Sequence, residues 1–169
     1  MIAPWLFERI VAWGDAPALV WNDSVANYTQ LSALADAWQD KFLARKLEAG
    51  EVVALEGSFS PNACAALIAL VRLGAVIAPL TPLMRAHRDK FLEIAEARLL
   101  VEFDEADEYS FHELERVVEN AVTKKLIARN HPGLIIFSSG STGSPKAILH
   151  DFASLLEKFH KVRQKKTTL

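Results

Sequence analysis

Residues 52–78, VVALEGSFSPNACAALIALVRLGAVIA, decide the fold. Val52 to Leu55 is a short, uninterrupted apolar run, the pattern of a strand buried on both faces. Ser60 followed by Pro61 starts a helix: a serine side chain can accept an early backbone N–H, and the fixed φ of proline suits the first turn. The helix runs to Leu73, where Gly74 supplies a residue that tolerates the left-handed conformation and stops it. Val76 to Ala78 resumes as a strand. A strand, a helix and a strand in so few residues imply parallel pairing through a right-handed crossover, and hence an α/β sheet.

The flanks extend that sheet. Upstream, Pro4 to Trp13 reads as a helix, and Ala18 to Trp21 and Val25 to Tyr28 as short strands around an Asn22-Asp23 turn. A long helix capped by Thr29 follows, with Leu31, Leu34, Ala35, Trp38 and Phe42 at the three-and-four spacing of a buried stripe, and Gly50 after its end. Downstream, Arg85 to Ala97 reads as a charged amphipathic helix leading into the strand Leu99 to Phe103, a further parallel member. Ser110-Phe111-His112-Glu113 has the form of a capping box for a helix through Val122, and Asn130 to Gly133 is a linker. The expected class is α/β, a mostly parallel sheet with flanking helices.

After the linker, Leu134 to Phe137 empties into Ser138-Ser139-Gly140-Ser141-Thr142-Gly143-Ser144-Pro145-Lys146, then Ala147 to His150 returns as a strand. Gly140 and Gly143 let successive amide N–H groups converge on one point, an anion nest. Ser138, Ser139, Ser141 and Thr142 add hydroxyl donors, and Lys146 adds a mobile positive charge. Charge-assisted hydrogen bonds outweigh neutral ones, so the loop gains most from a densely charged ligand such as a polyphosphate. A Walker A loop is excluded because Pro145 and Ala147 flank Lys146. A dinucleotide fingerprint is excluded because Gly140-Ser141-Thr142-Gly143 leads into a strand rather than a helix. The bland alternative is a Ser/Gly-rich surface hairpin.

Residues 138–146 resemble the signature loop of the adenylate-forming (AMP-binding) superfamily of acyl- and aryl-CoA synthetases, adenylation domains and luciferases. The one departure is Ala147 where that pattern has glycine. Asn27-Tyr28-Thr29-Gln30-Leu31, Gly50 to Leu55 and Leu70 to Leu80 are similar to further family segments in the same order. The resemblance implies that residues 1–169 form a single domain, the N-terminal portion of an AMP-binding domain of acetyl-CoA synthetase-like fold, with the C-terminal parts of that fold absent. It also implies a ligase: a carboxylic acid attacks the α-phosphate of ATP, accompanied by Mg2+, and the acyl-adenylate passes to a thiol of coenzyme A or a carrier protein. On this reading Ser138, Ser139, Gly140, Ser141, Thr142, Gly143 and Lys146 hold the β- and γ-phosphates, with Thr142 and Lys146 in catalytic roles, and His150 stands near the acyl pocket. Metal ligands are expected mostly outside these residues, and the isolated chain is expected to be inactive. The alternative is a noncatalytic module that binds nucleotide or protein.

Composition bounds the partners. Nineteen basic against twenty-one acidic side chains give a formal charge of −2, with no general attraction to nucleic acid or anionic lipid. The basic end, Lys158 to Lys166, suits a helix C-terminus better than a nucleic-acid patch, because Phe159 alone interleaves for stacking. Cys64 cannot form an internal disulfide and reads as core filling in a cytoplasmic protein, and no apolar run is long enough to span a bilayer. Glu102, Asp104, Glu105, Asp107 and Glu108 read as a solvated face rather than a metal site, and His87, His112, His131 and His160 as surface or capping residues. A hydrophobic share of 51% with mean hydropathy +0.13 implies exposed apolar faces that can support self-association.

Overall fold

The computed structural model describes residues 4–138 and 145–160. Helix α1 (Pro4–Trp13) leads to a small antiparallel hairpin, β1 (Pro17–Trp21) and β2 (Ser24–Asn27), whose turn residues Asn22 and Asp23 both have positive φ. Helix α2 (Tyr28–Ala44) begins at Asn27, not at Thr29. Asn27 Oδ1 accepts the Gln30 N–H at 2.8 Å while Gln30 Oε1 accepts the Asn27 N–H at 2.9 Å, a reciprocal cap that Thr29, already inside the first turn, cannot make.

The decisive stretch folds as read: β3 (Val52–Glu56), α3 (Pro61–Leu73) and β4 (Val76–Leu80), with Ser60 capping α3 and Gly74 at φ 72° closing it. A 3-10 segment (Pro82–His87) then precedes α4 (Arg88–Ala95), where one continuous helix from Arg85 was expected. Strand β5 (Leu99–Phe103) follows. Residues 110–113 do not cap a helix. They lie in β6 (Tyr109–Glu113), antiparallel to β5, and the helix comes later as α5 (Ala121–Ile127), capped by Asn120. The alternation of Tyr109 and Phe111 against Ser110 and His112 suits a strand, and both rings join Trp38 and Phe42 in an aromatic cluster, so tertiary packing overrides the local capping pattern.

Strands β7 (Gly133–Ser138) and β8 (Lys146–Asp151) and helix α6 (Phe152–Glu157) are the last elements among the described residues. Asp151 caps α6 by accepting the Ser154 N–H, and α6 ends at Glu157, so Lys158 lies past its end and residues 161–169 lie outside those described. The sheet order is β6-β5-β3-β4-β7-β8: four parallel strands with an antiparallel strand at each edge.

Strand side chains alternate between two cores, as period two requires. Val53, Leu55, Ile77, Leu99 and Val101 face α1, α2 and α3, while Val52, Ala54, Val76, Ala78 and Leu100 face α4. Of the predicted stripe on α2, Leu31, Ala35, Trp38 and Phe42 are buried and Leu34 is partly so. Cys64 packs against the first core, and burial, with the Asp107 charge adding to it, pushes its thiol above the ordinary value. No helix among the described residues is long and apolar enough to cross a membrane.

Candidate functional site

Helices α3 and α4 lie on opposite faces of the sheet, so the chain leaves β3 toward one face and β4 toward the other. Ligands in open α/β sheets bind in the crevice that such a reversal opens at the carboxyl ends of the strands. β7 runs parallel to β4, and its carboxyl end therefore points to that same edge.

The hairpin β7–β8 ends there. The two strands pair from Gly133↔Asp151 to Ser138↔Lys146. Ser138 and Lys146 thus stand opposite each other at the mouth of the loop, both exposed. Ser139, Gly140, Ser141, Thr142 and Gly143 lie outside the described residues. Gly133 is packed at the root, where an added Cβ would come within 2.9 Å of Leu126 and Val76 side chains. His150 is exposed and pairs with Leu134. It shares a strand face with Lys146 but is four residues away, about 13 Å at strand spacing, so it belongs to the root of the hairpin rather than its mouth.

A charged frame at the carboxyl edge was not legible in the sequence. Glu56, the last residue of β3, is fully buried. Arg85 Nε donates to Glu56 Oε1 at 2.7 Å and its Nη2 donates to Glu102 Oε1 at 2.7 Å. Arg88 Nη1 donates to Glu102 Oε2 at 3.0 Å and lies 3.6 Å from Glu56 Oε2. Burying Glu56 alone would be costly, and the two arginines offset that cost while tying the α4 segment to the ends of β3 and β5. The Glu56 hydrogen bond, reinforced by both carboxylate charges, raises the Arg85 guanidinium above its ordinary pKa. Beside the frame is a crevice of about 730 Å3 lined by Trp21, Ser58, Arg85, Glu102 and Asp104.

The acidic run is therefore only partly a solvated face. Glu102 serves the frame, Asp104 accepts the Ala106 and Glu108 N–H groups, and Asp107 accepts the Asn62 N–H at 3.0 Å. Among the described residues no group of three or more His, Cys, Asp or Glu could hold a metal ion. His131 reads as more than a surface residue: its Nδ1 lies 2.9 Å from Asp151, which also accepts the Ser154 N–H at 3.0 Å.

A family model described as AMP-binding enzyme matches residues 6–168. The chain belongs to the AMP-binding enzyme family. This AMP-binding chain is 29% identical over 163 residues to a dimodular nonribosomal peptide synthase of Bacillus subtilis (strain 168), covering 85% of the chain and 7% of that protein. It is 29% identical over 150 residues to the nonribosomal peptide synthetase valB of Aspergillus terreus, covering 83% and 6%. Among solved structures, the N-terminal subdomain of Klebsiella oxytoca NpsA superposes with a TM-score of 0.67 at 26% identity, over 88% of this chain and 41% of that one. The NpsA subdomain also occurs in complex with 3-hydroxyanthranilyl-AMSN. VinN superposes with a TM-score of 0.69 at 19% identity, over 92% and 44%, which shows the fold alone. The AMP-binding chain thus spans a small part of its curated relatives and under half of its structural ones.

Proposed function

We propose that residues 1–169 act as the N-terminal unit of an adenylate-forming ligase, and that its loop at 138–146 holds the β- and γ-phosphates of ATP. What supports this reading is that Ser138 and Lys146, which bracket the loop sequence, pair at the end of a hairpin whose strand β7 runs toward the carboxyl edge of the sheet. The hydroxyls of Ser139, Ser141 and Thr142 and the amides of Gly140 and Gly143 donate to phosphoryl oxygens, and Lys146 supplies the counter-charge. Fixed donors of this kind orient pyrophosphate as the leaving group and stabilise the charge it gains while a carboxylate attacks the α-phosphate. Mg2+ would accompany ATP and neutralise phosphate charge, with its ligands mostly outside this chain.

The finer reading concerns substrate and acceptor. Relatives named as nonribosomal peptide synthetases favour a carrier-protein thiol over coenzyme A as the acceptor of the acyl group. His150, on the face shared with Lys146, is the candidate contact to the acyl substrate. The test is ATP binding by the full chain, followed by calorimetry and joined to ATP–pyrophosphate exchange where turnover is present. Thr142→Ala and Lys146→Ala should each weaken ATP roughly tenfold to a hundredfold, the worth of a charged hydrogen bond. Affinity for ATP unchanged in both variants sinks the assignment.

A further inference from the structure

The hairpin that carries the loop is supported unevenly. The ladder between β4 and β7 covers Val76↔Gly133 and Ile77↔Leu134, whereas β7 stays paired with β8 all the way to Ser138↔Lys146. The distal half of the hairpin therefore extends past its pairing with the sheet. On one face of that half the cross-strand pair Ile136 and Ile148 is 40% and 47% exposed. On the other face Phe137, the residue before Ser138, meets Phe91 of α4 edge to face, ring centroids 4.8 Å apart at 71°.

Phe91 lies one turn beyond Arg88 and so projects from a neighbouring part of the same helix surface. Through Arg88, and Arg85 just before it, that helix is tied to the ends of β3 and β5, two strands of the buried centre of the sheet. We infer that Phe91 is a positioning residue for the distal end of the hairpin: the arginine frame fixes α4, and α4 holds Phe137 and with it the Ser138–Lys146 mouth at a set angle over the carboxyl edge. Phe91 touches no phosphate and acts only through Phe137. The functional side of this inference rests on the polyphosphate reading, while its structural side does not.

The experiment compares Phe91→Leu and Phe91→Tyr in the full chain by residue-resolved amide hydrogen exchange, with inorganic tripolyphosphate titrated in parallel. In Phe91→Leu, exchange at Ile136 to Ser138 and Lys146 to Ile148 should rise roughly threefold to tenfold, the worth of one aromatic pair. Exchange at Gly133 to Ile135 and throughout β3 should stay at the parent rate. Phe91→Tyr keeps the ring and should restore slow exchange. Tripolyphosphate affinity should fall by a similar factor in the leucine variant alone. Distal exchange unchanged in a folded Phe91→Leu overturns the inference, as does an equal rise everywhere, which would make the pair general packing. Should Phe91→Leu not fold, Phe137→Leu reads the same contact from the strand side. If the parent chain itself ignores tripolyphosphate while distal exchange still responds to Phe91, the polyphosphate reading fails and the positioning role stands.

Discussion

The β3–β4–β5 slab and the β7–β8 hairpin are made of similarly apolar strands, yet they are held in different ways. Every residue of β3 is buried, both its neighbours pair with it in parallel, and helices cover both faces. In the hairpin only Gly133 and Ile135 are buried, and the strand at the outer side, β8, has no buried residue. Apolar content alone therefore does not make a core; cover on both faces does. The slab provides a rigid platform and the hairpin an arm of lower local stability, the usual division between scaffold and binding loop.

Breaking the slab should have the largest effect. Trp38 is fully buried, donates through Nε1 to Asn62 Oδ1 at 2.9 Å, and touches Phe42, Phe103, Tyr109 and Phe111. Trp38→Ala should cost about 3–5 kcal/mol in urea denaturation; a loss below about 1 kcal/mol would mean that the slab collapses around the gap and is less rigid than described.

The root of the hairpin should respond less, and with pH. Burial alone would push the Asp151 carboxyl up, but the Ser154 N–H and the His131 imidazole outweigh it and hold the carboxyl below the ordinary carboxylate range. A carboxylate held low in the folded state stabilises above its unfolded pKa, about 3.9, and that contribution is lost as pH falls through the lower folded value. Asp151→Ala should cost about 1 kcal/mol near neutrality, largely the lost helix cap. The difference from the parent should begin to narrow below about pH 4 and go on narrowing as pH falls through the lower folded value, and a difference that persists unchanged into strong acid breaks the ionic account.

The smallest effect belongs to the outer face of the arm. Ile148→Thr replaces a half-exposed apolar residue with one that strands accept, and its melting free energy should stay within about 0.5 kcal/mol of the parent. A larger loss would show that something covers this face in solution and would erase the contrast.

The slab was legible because its signals are local and agree: two-sided apolar strands, Ser60-Pro61 at one helix end and Gly74 at the other. The errors fell where a local pattern competes with distant partners. Ser110 to Glu113 has capping-box spacing, but Tyr109 and Phe111 reach Trp38, more than seventy residues away, and the strand wins. Thr29 and Asn27 are both capping residues two positions apart, and only the reciprocal bond of Gln30 separates them. The Glu56, Arg85, Arg88 and Glu102 frame joins three segments and leaves no trace in spacing along the chain. At the candidate site the reverse holds. The loop residues are recognisable by composition, whereas the Phe91–Phe137 contact beside the hairpin mouth appears only in three dimensions.

All four tryptophans precede residue 39. Trp13, Trp21 and Trp38 report on the platform and its N-terminal surroundings, and Trp5, which donates to Glu157 of α6 and stacks on His160, reports on the helix after β8, so no indole stands on the arm itself. A fluorophore placed on β8 would supply that missing reporter, so that two colours, read in one cuvette, would separate unfolding of the platform from loss of order in the arm.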